Sequence, residues 1–318
     1  MSELSPLADD AAPDRIARDV GPRRVLVMTH TGRAEAVKAG REMIARLMER
    51  GLAVSVLTDE AAELGSEGVD TAPGMGPAAG CELVVVMGGD GTILRGAELV
   101  RGTQVPLLGV NLGHVGFLAE SEREDLAATV QRIVDRDYEV EERMTIDVTV
   151  LVDGEVVARS WALNEASVEK ASGERMLVVV MEVDGRPLST VGCDGVVLAT
   201  PTGSTAYAFS AGGPVVWPQV EALLLVPIAA HALFARPLVV APTSKLAVEV
   251  LGEGPTVGVM WCDGRRLFDL ARGSRVEATR GQIPVRLARL AMGPFTDRLV
   301  AKFRLPVQGW RGQGPTGS

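Results

Sequence analysis

The chain has 318 residues, of which 47% are hydrophobic and 23% charged, and its formal net charge is −9. This length is sufficient for two domains with buried cores, and the composition is that of an ordinary globular protein. The acidic balance argues against nonspecific nucleic-acid binding, which depends on concentrated Lys and Arg. A site for a polyanionic substrate would therefore need local cations, helix N-termini or a metal ion.

The sequence has no clear membrane-span or secretory-signal pattern, and its cysteines do not form a recognisable motif. No apolar run approaches the roughly 20 residues of a membrane span. The residues from Met1 to Pro6 lack the basic and apolar segments of a secretory signal, so we expect a cytoplasmic protein without membrane contact. The cysteines, Cys81, Cys193 and Cys262, are odd in number and widely spaced, which makes a disulfide scaffold or a cysteine zinc site improbable.

The N-terminal part predicts alternating strands and helices after a loose leader at residues 1–22. Residues 64–80, rich in Gly, Pro and Ala, are expected to form a surface connection. Strands are predicted at 25–28, 53–57, 83–87 and 106–110, and helices at 34–50, 93–100 and 122–136. This alternation indicates an α/β domain at residues 23–140 with a doubly wound, Rossmann-like parallel sheet.

The periodicity changes after about Tyr138. Turn signals stand at Asp153-Gly154 and Asp184-Gly185 between alternating segments. Strands are predicted at 146–152, 156–163, 176–183, 246–250, 257–260, 275–278 and 285–290. Such hairpin spacing predicts a mainly antiparallel, sandwich-like β domain at residues 141–290. The C-terminal segment, 291–318, is expected to end in a disordered tail.

A glycine-rich loop, Gly88-Gly89-Asp90-Gly91-Thr92, follows the predicted strand at 83–87. Ligands of parallel sheets bind beyond the carboxyl ends of strands, where these glycines would let the backbone approach a phosphate and Thr92 would cap the next helix. A carboxylate in an anion site is useful only if it binds Mg²⁺ or accepts a proton from an attacking hydroxyl. An ordinary Asp-Gly turn is the alternative.

Other polar residues fall near predicted strand ends. Arg95 could direct its guanidinium towards a phosphate or simply lie in solvent. Asn164-Glu165 could bind ribose hydroxyls or a base edge, or cap a strand. Asp194 and Asp263 each precede a glycine, and for Asp263 a plain hairpin turn is the preferred interpretation. The histidines His30, His114 and His231 are not expected to act in catalysis.

The segment from Ala199 to Tyr207, ATPTGSTAY, carries four hydroxyls, a glycine and a terminal ring. It predicts a tight turn that presents N–H groups and hydroxyls to a polar ligand, or a capped helix start. Together with the Gly-Gly-Asp-Gly-Thr loop and Asn164-Glu165, in this order, it resembles the NAD kinase family. The resemblance extends from about Arg24 to Leu305.

This resemblance implies phosphoryl transfer from ATP, or from inorganic polyphosphate, to the 2′-hydroxyl of the adenosine ribose of NAD, with Mg²⁺ or another divalent cation. Asp90 would accept the hydroxyl proton, and Gly91 would be its backbone neighbour. Arg95 would lie beside the phosphates. The resemblance further implies NAD contacts for Asn164, Glu165, Arg175, Asp194, Thr205, Ala206, Tyr207, Ala208, Phe209 and Ser210, with Gly88, Gly89, Gly91 and Thr92 as the phosphate loop. The residues that would hold the metal are not indicated.

Two positions depart from the family pattern: Arg265 stands where many bacterial members have Gln, and Ala230 precedes His231 where Pro is usual. The resemblance also implies a homodimer or homotetramer. The glycine-rich loop alone leaves a lipid or sugar kinase open, and a noncatalytic dinucleotide-binding regulator is the alternative of another class.

Overall fold

The computed structural model describes residues 23–65, 70–71, 76, 78–111, 116–119, 121–122, 126–171, 176–251, 257–290 and 293–307. These residues form one eight-stranded sheet and two six-stranded sheets. No helix within the described ranges has the length and apolarity of a membrane span. The predicted leader at 1–22 and the tail at 308–318 lie outside them.

The eight-stranded sheet is mostly parallel and is formed largely by the N-terminal part of the chain. Its first strands are β1 (Arg24–Thr29), β2 (Ala53–Val56), β3 (Asp70–Thr71), β4 (Leu83–Met87), β5 (Leu107–Asn111) and β6 (Ser121–Glu122). The accompanying helices are α1 (Ala34–Glu49), α2 (Ala61–Leu64), α3 (Asp90–Val100) and α4 (Leu126–Asp135). All residues of β4 and β5 are buried, as expected for parallel strands covered on both faces.

The strand order β3-β2-β1-β4-β5 determines where a ligand can bind. The chain runs outwards from β1 in one direction through β2 and in the other through β4, so a topological switch point lies between β1 and β4. The loops that follow these two strands therefore diverge and leave a crevice at their carboxyl ends.

The two six-stranded sheets are antiparallel and share one apolar core. One sheet contains β8 (Ile146–Val152), β9 (Glu155–Ala162), β11 (Leu177–Val183), β12 (Arg186–Cys193), β16 (Leu246–Leu251) and β19 (Arg275–Arg280). The other contains β10 (Glu165–Lys170), β13 (Gly195–Ala199), β14 (Leu223–Ile228), β15 (Leu238–Val240), β17 (Gly258–Cys262) and β18 (Arg266–Leu270). The predicted pairing of an α/β part with an antiparallel β part is confirmed.

The predicted hairpin turns occur where expected. Both residues of Asp153-Gly154 and of Asp184-Gly185 have positive φ, between 50° and 82°. This is the type I′ geometry that suits the right-handed twist of the adjoining strands. The cysteines Cys81, Cys193 and Cys262 are buried free thiols.

Several element boundaries differ from the prediction. Helix α3 begins at Asp90 rather than at residue 93, and α4 begins at Leu126 rather than at 122. The segment 64–80 contains β3, which pairs with β2. The strands of residues 139–143 and 285–289 were not expected in the first sheet: β7 (Glu139–Arg143) pairs with β20 (Val285–Arg289), and β20 pairs with β5.

The C-terminal segment contains α6 (Phe295–Phe303), which the sequence pattern did not predict. Three of its neighbours are aromatic rings. Phe303 stacks on Phe209 with 4.5 Å between ring centroids, and Phe117 and Trp217 contact the α6 rings. Helix α6 is therefore held by aromatic contacts to segments of both parts of the chain.

Candidate active site

A cavity of about 530 Å³ lies at the switch point between β1 and β4. Three loops line it: one after β1, one after β4, and the β17–β18 hairpin. Its lining residues are Thr29, His30, Thr31, Gly32, Arg33, Gly89, Gly91, Thr92, Arg95, Asp263, Gly264 and Arg265. Its volume lies within the range of ligand and cofactor sites.

Asp90 lies between Gly89 and Gly91, which both line the cavity, and its side chain is partly buried. The Phe117 backbone N–H donates to its Oδ2 at 3.2 Å, and the Leu118 N–H donates to its Oδ1 at 3.1 Å. Each carboxylate oxygen retains acceptor capacity, since it has two lone pairs. The carboxylate is thus fixed in orientation, and no cationic side chain of the described residues pairs with it.

The segment that supports Asp90 allows little room for a side chain. A Cβ at Gly116 would lie 2.4 Å from Oδ1 of Asp90, a contact that would displace the carboxylate. Gly89 is the N-cap of α3, and Asp90 occupies its first turn, where a negative charge interacts favourably with the helix dipole. The expectation that Thr92 caps the helix is wrong, because Thr92 lies inside α3 and its N–H bonds to the Gly89 carbonyl.

Arg95 reaches the cavity and is held by two acidic residues at the start of α2. Its Nη1 donates to Oε1 of Glu60 at 2.7 Å, and its Nη2 donates to Oδ2 of Asp59 at 3.0 Å. Glu60 is 1% exposed and also accepts the Thr29 backbone N–H at 2.8 Å. Burial raises the pKa of Glu60, against the opposing effects of Thr29 and Arg95. Arg95 is therefore positioned firmly, with much of its charge compensated.

Arg33 differs from Arg95. It is exposed at the mouth of the cavity, and its side chain has no carboxylate partner within the described part of the chain. Arg265 is bound to Glu98 through Nε and Nη2, at 3.1 and 3.2 Å. Of the three arginines that line the cavity, Arg33 has the charge most available to an incoming anion.

Asp263 connects the cavity to the antiparallel sheets. It lies in the β17–β18 hairpin with φ of 54°, so the predicted turn is present. Its side chain, however, is 6% exposed and accepts the backbone N–H groups of Leu163 and Asn164 at 3.0 and 2.7 Å. Arg266 donates to the same carboxylate at 2.9 Å. Asp263 therefore fixes the position of Asn164 in addition to forming a turn.

Glu165, the next residue, begins β10 and is 8% exposed. Burial, and then the negative charge of Asp263, raises the pKa of Glu165 to about 8, although a hydrogen bond from the Tyr207 backbone N–H opposes the shift. Its Oε2 has no hydrogen-bond partner in the described residues. A neutral carboxyl group there can both donate and accept a hydrogen bond at neutral pH.

The ATPTGSTAY segment forms a tight turn, as predicted. Residues Thr202–Thr205 make a 3₁₀ turn, and Tyr207–Ser210 make the short helix α5. The Thr200 hydroxyl donates to the Leu163 carbonyl at 2.6 Å and accepts the Gly203 N–H at 3.1 Å. A Cβ at Gly203 would lie 2.1 Å from the Asn164 carbonyl oxygen, so this close approach requires glycine. The turn is thereby packed directly on Asn164.

Tyr207 extends over an acidic face of β10. Burial, and then the charges of Glu169 and Asp194, raises the pKa of Tyr207, whose backbone N–H contacts Glu165. Asp194 lies at the far end of β10, where its Oδ1 accepts from Lys170 Nζ at 2.6 Å. Tyr207 is 36% exposed, so its side chain is accessible to a ligand.

The structure brings most of the predicted residues into two adjoining groups. The glycine-rich loop and Arg95 line the cavity, and Glu165, Asp194 and Tyr207 share the acidic face. Of the other predicted contacts, Thr205, Ala206, Ala208, Phe209 and Ser210 form the turn and α5, while Arg175 and His114 lie outside the described residues.

Sequence reasoning missed Arg33 and Glu60 and discounted His30, although these line or support the cavity. A polar loop after a buried strand at the switch point was the available signal for His30 and Arg33. For Glu60 the sequence has no such signal, since its role depends on a distant arginine.

A glycine-rich loop at a switch point, with a fixed carboxylate and nearby guanidinium groups, is the arrangement of a phosphoryl-transfer enzyme. Comparison with family models identifies the family. The ATP-NAD kinase N-terminal domain matches residues 25–138, and the ATP-NAD kinase C-terminal domain matches residues 163–290. The chain belongs to the NAD kinase family, and it is a kinase.

Relatives named NAD kinase match the chain over nearly its full length. NAD kinase 2 of Streptomyces coelicolor is 60% identical over 293 residues, which cover 91% of this chain and 97% of that protein. The NAD kinase of Leifsonia xyli is 61% identical over 295 residues, with 91% and 97% covered. The NAD kinase of Thermobifida fusca is 58% identical over 308 residues, with 94% of each chain covered.

Solved structures share the fold. Yeast NADH kinase complexed with NADH superposes with a TM-score of 0.81 at 24% identity, covering 93% of this chain and 90% of that one. An NAD kinase from Archaeoglobus fulgidus in complex with ATP has a TM-score of 0.67 at 28% identity, with 88% and 98% covered.

Proposed function

We propose that this enzyme transfers a phosphoryl group from ATP to the 2′-hydroxyl of the adenosine ribose of NAD and so makes NADP. The observation that carries the proposal is the Asp90 carboxylate, which two backbone N–H groups hold between cavity-lining glycines. A phosphate binder gains nothing from a carboxylate in its glycine-rich loop, whereas a kinase needs one to accept the hydroxyl proton.

On the acceptor side, NAD would lie against Asn164, Glu165 and the turn that ends at Tyr207. The neutral Glu165 carboxyl group can donate to one hydroxyl and accept from another, which suits a ribose diol. The acidic face with Glu169 and Asp194 suits the positively charged nicotinamide ring of NAD. Tyr207, Ala206 and Phe209 would form the adenine side of this site.

On the donor side, the triphosphate of ATP would occupy the cavity between the β1 and β4 loops. The N-terminus of α3 directs N–H groups and partial positive charge towards it. Arg33 has the accessible charge to bind phosphate oxygens, and Arg95 can add a second contact. These local cations allow a chain with a net charge of −9 to bind two anionic substrates.

A divalent cation, Mg²⁺ by preference, fits this site. Mg²⁺ in kinases is usually held by one or two carboxylates together with substrate phosphates, and Asp90 has lone pairs available beside the cavity. When bound, the ion would supply positive charge that offsets the charge of the phosphates. Asp90 would orient the acceptor and take its proton, while α3 and Arg33 would hold the donor phosphates.

A homodimer or homotetramer is also proposed. Several large apolar side chains of the described residues are exposed, with Leu233 fully exposed and Phe234 and Trp217 at 57% and 44%. Exposed apolar groups of this size commonly mark protein contacts. Sedimentation would test the assembly. A cytoplasmic location stays a prediction.

The decisive experiment measures product formation from NAD with ATP and Mg²⁺, using an NADP-specific dehydrogenase as the reporter. We expect NADP from NAD, and no product from diacylglycerol or fructose 6-phosphate in a parallel assay with radiolabelled ATP. Polyphosphate is compared as donor in the same series. Label transfer to the lipid or the sugar instead of NAD would overturn the assignment, and NAD binding without any product would indicate a regulator.

A further inference from the structure

Helix α6 contacts the segment that holds Asp90. Its Arg298 donates to the Phe117 backbone carbonyl at 3.1 Å. Phe117 is 8% exposed, and the centroid of its ring lies 5.8 Å from those of both Phe295 and Phe303. Separations of this size are typical of attractive aromatic pairs. The helix therefore holds this segment through a backbone carbonyl and through a buried ring.

The same segment orients the Asp90 carboxylate. The backbone N–H groups of Phe117 and Leu118 donate to its two oxygens at 3.2 and 3.1 Å. Because hydrogen bonds weaken steeply when they depart from linearity, a shift of this segment would turn the carboxylate or release it. The orientation of Asp90 thus depends on contacts that α6 makes behind it.

Phe303 has a further contact, with the antiparallel part of the chain. Its ring stacks on that of Phe209, with 4.5 Å between centroids and 30° between the ring planes. Phe209 lies in α5, which follows the turn packed on Asn164. The ring of Phe303 therefore contacts both the segment that orients Asp90 and the helix beside the acceptor turn.

We propose that Phe303 is a positioning residue, whose ring keeps the Phe117 segment, and with it the Asp90 carboxylate, in a fixed relation to α5 and the acceptor turn. This role rests on the proposed function, because it acts through Asp90 on the acceptor hydroxyl. A general base must lie within hydrogen-bond distance of the proton that it accepts, and a misplacement of about 1 Å can cost about 10²-fold in rate. Phe303 can therefore affect kcat without lining the cavity.

Steady-state kinetics of Phe303→Ala test this role. Of the described residues that line the cavity, none lies in α6, so KM for ATP should stay within about twofold of wild type. We expect kcat to fall about ten- to a hundredfold. Phe303→Tyr keeps the ring and should restore kcat to near the wild-type value. Phe303→Leu, which keeps much of the apolar volume, replaces the Ala variant if that variant does not fold, and kcat should fall in the same direction.

A double variant distinguishes positioning of Asp90 from a general loss of structure. In an Asp90→Asn background, Phe303→Ala should lower kcat by less than about twofold, because the carboxylate that it positions is gone. Effects on kcat that multiply would overturn the proposal, as would a wild-type kcat for Phe303→Ala alone. Near-normal kcat for Asp90→Asn alone would instead contradict the proposed function, so the two failures are distinguishable.

Amide hydrogen exchange tests the contact without turnover. In Phe303→Ala the Phe117 and Leu118 amides should exchange at least about fivefold faster than in wild type, because their segment opens locally. Phe268→Ala is the matched control, since Phe268 is also a partly buried ring but packs on the core of the antiparallel sheets. This control should keep kcat and both exchange rates. Unchanged exchange in Phe303→Ala, or equal acceleration in Phe268→Ala, would contradict the proposal whatever the reaction.

Discussion

Two carboxyl groups in this protein have opposite environments, and the comparison shows how one chain prepares two acids for different tasks. Asp90, at the edge of the parallel sheet, is partly exposed and accepts two backbone N–H groups. Glu165, at the start of a buried antiparallel strand, is 8% exposed and close to a second carboxylate, Asp263. The first environment fixes the orientation of a carboxyl group beside the cavity, and the second supports a neutral hydrogen-bonding group.

The largest expected effect comes from removing the charge at the sheet edge. Asp90→Asn should lower kcat by about 10²–10⁴-fold, the usual contribution of a positioned general base. Calorimetric NAD affinity should stay within a few-fold of wild type, because the amide keeps a hydrogen-bond acceptor and the other region would supply most of the contacts to NAD. If the Asp90→Asn variant has near-normal kcat, Asp90 is not the proton acceptor and the proposed difference in role between Asp90 and Glu165 is wrong.

Arg95→Met tests whether the sheet edge depends on its buried ion pair. The substitution leaves Glu60, which is 1% exposed, without its cation, and we expect the free energy of unfolding to fall by about 2–3 kcal/mol. Urea denaturation measures this change. The double variant Arg95→Met with Glu60→Gln should recover part of the lost free energy of unfolding. If the single and the double variant lose the same amount, the unpaired buried charge of Glu60 is not the cause.

Glu165→Gln tests the raised pKa of Glu165 through the pH dependence of the free energy of unfolding. The pKa of Glu165 is about 8 in the folded chain against 4.5 as the unperturbed value, so between these pH values the folded state retains a proton that the unfolded state releases. Wild-type stability should therefore fall as pH rises through this window, by up to about 1.4 kcal/mol per pH unit.

The Gln variant lacks this titration. Its free energy of unfolding relative to wild type, measured by urea denaturation, should therefore increase from about pH 5 to about pH 8.5. A constant difference across the range would mean that Glu165 is already ionised in the folded chain. Tyr207→Phe, which keeps the backbone N–H, provides the control and should follow the wild-type pH profile.

The smallest effect is expected at the hairpin that joins the two regions. Arg265→Gln removes one partner of Glu98, but Arg266 still binds Glu98 at 2.9 Å. The pair is partly exposed, so the free energy of unfolding should change by less than about 1 kcal/mol. Thermal unfolding checks this, and a larger loss would indicate that Arg265 couples the two regions.

Prediction from sequence succeeded where the determining interactions are local. Strand β4 has the predicted bounds because a run of buried Val and Leu ends at a glycine pair. The turns at Asp153 and Asp184 follow from Asp-Gly chemistry. The start of α3 was misplaced because Gly91 suggested a loop, although Asp90 is stabilised at the first helical turn by the dipole.

Prediction failed where distant residues meet. Nothing near Glu60 in the sequence indicates that Arg95 binds it across 35 residues, or that its other oxygen holds Thr29. For Asp263 the sequence indicated only a hairpin turn. Its carboxylate also accepts hydrogen bonds from the backbone N–H groups of Leu163 and Asn164, about 100 residues earlier in the chain. Such contacts are fixed by the packing of whole sheets and not by local patterns.

By itself the sequence determined many of the strands and helices, the phosphate-loop motif and the family, because backbone propensity and glycine placement act over a few neighbouring residues. Only the tertiary structure decided that the pKa of Glu165 is raised and which arginines share a cavity. The physical reason is that desolvation and charge coupling depend on every group within several ångströms, and the chain brings these groups together only when it is folded.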